Sequence, residues 1–241
     1  STLNAALMMA RTWGGVISMN DYAEQYRLLS WLSPSYPVGA FSYSHGLEFA
    51  VETGAVSDRA SLIRWLKTVL IHGTGRIDGV LFRESHAATR AEDWMRLRDI
   101  VEVGNAFQPT PELALESRAQ GAAFVRVTRS AWHSPALNEI DDDIIYPIAV
   151  AVSCAGHDIA CEGGLQGYFH AFLANLVSAA VRLIPLGQTD GQHAVAALED
   201  TVRHAVSQGM EIPFDDIGSA APLVDLASIQ HETQYTRLFR S

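Results

Sequence analysis

The sequence predicts an all-α fold, a single-domain helical bundle of roughly ten helices, on three grounds. Apolar residues recur at i, i+3, i+4 and i+7 along most of the chain, the spacing that lines one face of an α-helix. The alternation of apolar and polar residues that marks a half-buried strand is almost absent. Glycine, proline and small hydroxyl or acidic residues interrupt the helical pattern about once per helix length, where caps and turns belong. With 241 residues, 48% of them hydrophobic and 18% charged, the chain can close one large core.

Taken in order, residues 1–18 read as an N-terminal tail preceding a folded domain that spans 19–241. The tail has an apolar patch at Leu7-Met8-Met9-Ala10 but no charged region before it and no cleavage signal, so no signal peptide is assigned. Tyr22, Tyr26, Leu29 and Ser33 share one face of a first helix capped by Asn20 or Asp21. Pro34 stops that helix, Pro37 keeps the following loop extended and Gly39 permits a turn. Ser42 or Ser44 is placed to cap a helix that runs through Glu48 and ends at Gly54.

Ser57 is expected to cap the next helix, whose Leu62, Ile63, Leu66, Val69 and Leu70 recur at helical spacing up to Gly73. Two further helices follow, Asp78 to Thr89 and Glu92 to Val103, and then a long one from Glu112 to Trp132, started after Thr110 and with Arg118, Arg126 and Arg129 on its polar side. Residues 133–146 read as the least regular segment. The apolar stretches Pro147–Gly156 and Leu165–Ile184 read as a central, most buried pair separated by Cys161-Glu162-Gly163-Gly164. Pro185 to Gln192 is a turn signal, His193 to Gln208 a helix, and Leu223 to Arg240 a final segment with helical periodicity.

Composition excludes several functions. A net charge of −10 argues against a binder that neutralises nucleic-acid phosphates, and no apolar run reaches the roughly 18 residues of a membrane span. A cytoplasmic location is therefore expected. The two cysteines, Cys154 and Cys161, fit neither a C-x-x-C pair nor a disulfide framework. Lys67 is the only lysine and no G-x-x-x-x-G-K-S/T motif surrounds it, so no nucleotide-hydrolysing loop is assigned. Nine histidines are scattered without H-x-x-x-H or H-E-x-x-H spacing, no G-x-S-x-G elbow occurs, and neither a catalytic residue, a metal site nor a cofactor is assigned.

Two stretches carry more side-chain chemistry than a connector needs. Ser33 to Glu48 holds three aromatics, Phe41 and Tyr43 among them, with four serines, and ends in Glu48. The C-terminal stretch His231-Glu232-Thr233-Gln234-Tyr235-Thr236-Arg237-Leu238-Phe239-Arg240-Ser241 sets arginines beside an aromatic, a common interface anchor, at an end read as free to dock. Glu112 and Arg118 are read as local packing and ion pairing.

These two stretches, together with Pro185-Leu186-Gly187-Gln188…Gly191-Gln192 and, more weakly, Pro111 to Arg118, resemble the UreF family of urease accessory proteins in content, order and separation. The resemblance covers about Asp21 to Ser241. It implies an all-helical, non-enzymatic chaperone that joins UreD (UreH in some organisms), recruits the GTPase UreG and, through that complex, delivers nickel to apo-urease. It also implies a homodimer and a C-terminal region that contacts UreD/UreH. By position, Phe41 stands where the family often has Tyr, and with Arg237 looks like part of the surface for UreG. Partner-binding residues expected on these grounds are Phe41, Tyr43, Glu48, His231, Glu232, Tyr235, Arg237, Leu238, Phe239 and Arg240. Arg237 is read as a docking residue, with a trans arginine finger as the other role open to it. The alternative function is a small-molecule enzyme with a pocket between the two central helices, served by Cys154, Cys161 and His170; a nickel carrier is a third reading.

Overall fold

A computed structural model describes residues 19–241. The expected tail, 1–18, and the side chains of the cap expected at Asn20 or Asp21 lie outside the described residues. Among the described residues there are eleven α-helices, three short 3-10 turns and no strand, so the all-α expectation holds.

The helices are α1 (Met19–Trp31), α2 (Leu47–Glu52), α3 (Arg59–Ile71), α4 (Thr74–Arg90), α5 (Trp94–Ala106), α6 (Pro111–Ala131), α7 (Tyr146–Gly156), α8 (Cys161–Leu183), α9 (Gln188–Ala197), α10 (Glu199–Glu211) and α11 (Pro222–His231). Their ends follow local chemistry. Thr110 accepts from the Leu113 N–H with Pro111 at the first helical position, as expected for α6. Gly54 sits at φ 77° just past α2, the left-handed stop that glycine provides without strain.

Several boundaries differ from expectation, among them the start of α4, which is Thr74 and not Asp78. The cap of α3 is Asp58, not Ser57: its carboxylate accepts from the Ser61 N–H and the Ser61 side chain returns a bond to the Asp58 N–H. Cys161 to Gly164 is the first turn of α8 rather than a separator, because the glycines there make room for neighbours: a Cβ on Gly164 would lie 2.8 Å from Cys154 Sγ. The segment 188–211 is two helices broken at Leu198, and the periodic segment after Leu223 is helical only to His231.

The core is organised around α4 and α7. All but two of α7's eleven residues are buried, and it packs most extensively against α4 and then α6, not chiefly against α8 as its apolar run suggested. Trp31 meets Phe124, Trp132 and His157 edge-on at 5.1–6.2 Å, locking α1 to α6 and to the end of α7. Arg129 does more than face solvent: its guanidinium donates to the Leu137 and Ile140 carbonyls and pairs with Asp142, so the irregular segment after α6 is folded over a cation.

Asp78 on α4 is a carboxyl in this core, only 3% exposed, and accepts a 2.7 Å bond from the Tyr168 hydroxyl of α8. Burial pushes its carboxyl up to about 7, with the Tyr168 bond opposing the rise.

Two measurements follow from this packing. A Cβ on Gly121 would fall 2.0 Å from the Ile144 carbonyl oxygen, a backbone atom with nowhere to go. Gly121→Ala is therefore expected to destabilise the protein by about 3 kcal/mol in chemical denaturation, and an unchanged midpoint would contradict the close approach of α6 to the segment before α7. For Asp78, the folded carboxyl keeps its proton well above the ordinary aspartate value of 3.8, so folding is favoured by the acid form and this contribution is lost as pH rises from about 4 through about 7. Relative to wild type, Asp78→Asn should gain stability between pH 5 and pH 8; a constant difference across that window would contradict the assignment.

Candidate functional site: a C-terminal strap held by buried carboxylates

After α11 the chain turns back and lies across the protein. Three local choices make this possible. His45 and Gly46 both adopt left-handed backbone, at φ 57° and 75°. A Cβ on Gly46 would stand 2.9 Å from the Ser228 N, so glycine here admits the close approach of α11. Thr110, the cap of α6, also shares a 2.7 Å hydrogen bond with Ser228, fixing α11 against α6.

Glu48, at the N-terminal end of α2, is the anchor of the strap. Its Oε1 accepts from the Leu238 N–H at 2.7 Å and its Oε2 from the Phe239 N–H at 2.9 Å, while His231 Nε2 stands 3.1 Å from Oε2. On the other side of the same imidazole, Nδ1 lies 2.7 Å from Glu112 Oε2, and Glu112 Oε1 accepts from Arg237 Nη1 at 2.8 Å. A carboxylate oxygen therefore stands at each ring nitrogen. Glu112 is matched by His231 and the Arg237 guanidinium, and Glu48 by His231 and two backbone N–H groups. That balance explains how Glu48 and Glu112 remain buried at 7% and 8% exposure.

The far end of the strap is held by backbone pairing and a third carboxylate. The Arg240 N–H donates to the Ser42 carbonyl at 2.9 Å, and the Ser44 N–H to the Ser241 carbonyl at 2.9 Å. The Ser44 hydroxyl donates to the same Ser241 oxygen and accepts from the Glu48 N–H at 3.3 Å. Ser44 thus serves the start of α2 as expected, although Gly46 is its N-cap residue. The Ser241 hydroxyl donates to Glu116 Oε2 at 2.6 Å.

A cation outside the strap binds it to the proline-rich loop. Arg182 of α8 donates to the Phe41 carbonyl at 3.0 Å and places its guanidinium 4.4 Å from the centre of the Phe239 ring. Asn175 donates to the Ala40 carbonyl at 2.9 Å, so the 3-10 turn Ala40–Ser42 is held from α8 by two side chains.

The residues singled out in the sequence therefore divide in two. Tyr43, Glu48, His231 and Phe239 are buried, and Glu48, His231 and Phe239 hold the strap in place. Phe41 at 67%, Tyr235 at 103% and Leu238 at 64% exposure, with Glu232 and Arg240, face solvent, and Arg237 lies between the two groups. The expectation of a free end is corrected by this packing: the strap is docked on its own chain. Glu112, read as incidental pairing, is a second anchor, Ser44, read as a helix cap, also holds the chain end, and Glu116 and Arg182 were not anticipated. The available signal was the acidic pair at 112 and 116, one helical turn apart beside Leu113 and Gln120.

The cysteine-based alternative loses its chemistry here. Cys154 is wholly buried and burial pushes its thiol up, and the Cys161 thiol is pushed up to about 11, so neither supplies a thiolate at neutral pH. Among the described residues no group of three or more His, Cys, Asp or Glu is arranged to hold a metal, and no helix is long and apolar enough to cross a membrane.

Comparison with known proteins agrees with the resemblance. A family model described as UreF matches residues 56–199. A urease accessory protein UreF of Granulibacter bethesdensis is 52% identical over 223 residues, 91% of this chain and 94% of the relative. Proteins of the same name from Bradyrhizobium sp. strain BTAi1 and Rhodopseudomonas palustris strain HaA2 are 49% and 45% identical, over 92% and 97% of this chain and 93% and 100% of theirs. With the family model covering more than half of the chain and these relatives nearly all of it, the chain belongs to the UreF family of urease accessory proteins, accessory factors rather than enzymes.

Proposed function

We propose that this chain is a docking scaffold in maturation of the urease nickel site: it binds UreD/UreH, recruits the GTPase UreG, and acts on apo-urease through that complex, as a homodimer in the cytoplasm. The observation that carries the reading is the held strap. Three buried carboxylates, Glu48, Glu112 and Glu116, fix the ten residues after α11 against the protein, so the side chains those residues expose are held in one arrangement.

The surface so presented has the composition of an interface. Phe41, Tyr235, Leu238 and Arg240 project from the strap and its loop, and Leu223, Leu226 and Ile229 form an exposed apolar row at three-residue spacing along α11. Aromatic, arginine and aliphatic anchors around a rigid backbone favour association, because little conformational freedom remains to be lost on binding. Phe41 lacks the hydroxyl of the family's more frequent tyrosine, so its contribution is ring area.

Arg237 fits docking better than an arginine finger. Its guanidinium is engaged by a buried carboxylate at 2.8 Å, and a finger reaching a transferred phosphate has to leave that partner.

Co-purification with UreD/UreH and UreG, followed by urease activation, tests the scaffold. Leu238→Asp and Tyr235→Ala change exposed side chains, so they should leave the melting temperature unchanged while lowering partner capture at least about tenfold, the effect of losing roughly 1.4 kcal/mol. Glu48→Ala should lose capture together with the order of the strap. Undiminished recruitment and activation by all three variants would overturn the proposal.

A further inference from the structure

We propose that the cleft between the proline-rich loop and α8 is a binding site for a small organic cation, an alkylammonium or guanidinium group, with Glu116 as its counter-ion. This goes beyond the scaffold reading and does not rest on it.

The cleft has a volume of about 230 Å³ and is lined by Tyr36, Phe41, Tyr146 and Phe172, with Glu116 and Gln120 also in its wall. Pockets for drug-sized ligands run from roughly 300 to 1,000 Å³, so this one suits a charged head group with a short alkyl arm. Its chemistry selects the sign of the charge. Glu116 is 5% exposed and Gln120 6%, so a buried carboxylate and a buried amide stand in a wall that also carries His170, Asn175 and aliphatic side chains, with Glu116 its one acidic group.

Glu116 is under-compensated where its neighbours are not. Glu112 has both Arg237 and His231, and Glu48 has His231 and two backbone N–H groups. Glu116 accepts from the neutral Ser241 hydroxyl and, at a long 3.4 Å, from Gln120 Nε2. Its ion-pairing group among the described residues is His45, whose Nδ1 stands 3.5 Å away and, though buried, has no hydrogen-bond partner among them. The other ring nitrogen of His45 is engaged by the Thr74 hydroxyl at 2.9 Å. A buried anion facing an open cleft is stabilised by a cation entering that cleft.

The alternatives fit less well. An anion would meet Glu116 without a lysine or arginine in the lining. A wholly apolar guest would take water from the carboxylate and return no hydrogen bond to it. A metal ion needs a donor cluster that is absent among the described residues. Aromatic rings, in contrast, attract alkylammonium and guanidinium groups through their π-electrons while a carboxylate supplies the directional bond.

The test titrates the full chain with n-butylguanidinium and n-butylammonium, using n-butylurea as the neutral comparator, by calorimetry or ligand-observed NMR. Saturable one-to-one binding of a cation, with the urea at least about tenfold weaker, is expected, a difference matching the loss of one charge-assisted contact. Glu116→Gln should weaken cation binding by a similar factor. Because Glu116 also holds Ser241, Ala174→Trp is a second variant that fills the cleft and leaves the carboxylate in place; it should abolish binding. An acetylated, amidated Gly-Arg-Gly peptide separates the sources: binding equal to butylguanidinium points to an arginine of a partner, and binding of the free cations alone to a small metabolite. Absence of saturable cation binding, equal binding of the urea, or full binding by Ala174→Trp overturns the proposal, and leaves the scaffold reading untouched.

Discussion

One carboxylate accounts for the form of the C-terminal region. Glu48 accepts two consecutive backbone N–H groups from the strap and shares His231 with Glu112. Consecutive peptide N–H groups in non-helical chain have no intrahelical partner, and a buried anion is their strongest acceptor. Hydrogen bonds to a charged group contribute about 1.5–3 kcal/mol each. Two of them, with the imidazole, are enough to offset the ordering of a few residues. The middle of the strap depends on that contact, since the chain has no regular secondary structure of its own past α11 and its far end is held separately at Ser42, Ser44 and Glu116.

Around this anchor the rest of the fold is a frame that brings distant residues together. α2 supplies Glu48, α6 supplies Glu112 and Glu116 from successive turns of one face, and α8 supplies Arg182 and Asn175. Gly46 lets α11 approach α2, and Thr110 ties α11 to α6 through Ser228. The carboxylates of α6 therefore serve different ends of the strap, Glu112 its start at Arg237 and Glu116 its end at Ser241.

Fold class was legible because helical periodicity and punctuation are local signals: Thr110-Pro111 announced α6, and Gly54 the end of α2. The errors also have local causes. Asp58 and Ser57 are adjacent cap residues, and only the return bond from Ser61 decides between them. The glycines at 163 and 164 look like a linker, but they begin α8 because close neighbours, Cys154 and Phe82 among them, occupy the space of a side chain. Of the site, sequence singled out Glu48 and the strap by their side-chain chemistry and a family likeness, yet read the strap as an end free to dock. The pairing of residues 48, 112 and 231 spans more than 180 positions, and no local pattern reports such a contact. Arg182 was invisible for the same reason: in sequence it is one arginine on an apolar helix.

The most direct test of the account is amide hydrogen exchange at Leu238 and Phe239 in the free chain. If Glu48 holds the strap, both amides exchange far more slowly than an unstructured peptide, and Glu48→Gln, which keeps an acceptor but loses the charge, partly releases them. Exchange at the unstructured rate in the wild-type chain would mean that the strap is not docked, and the account of this region would fail.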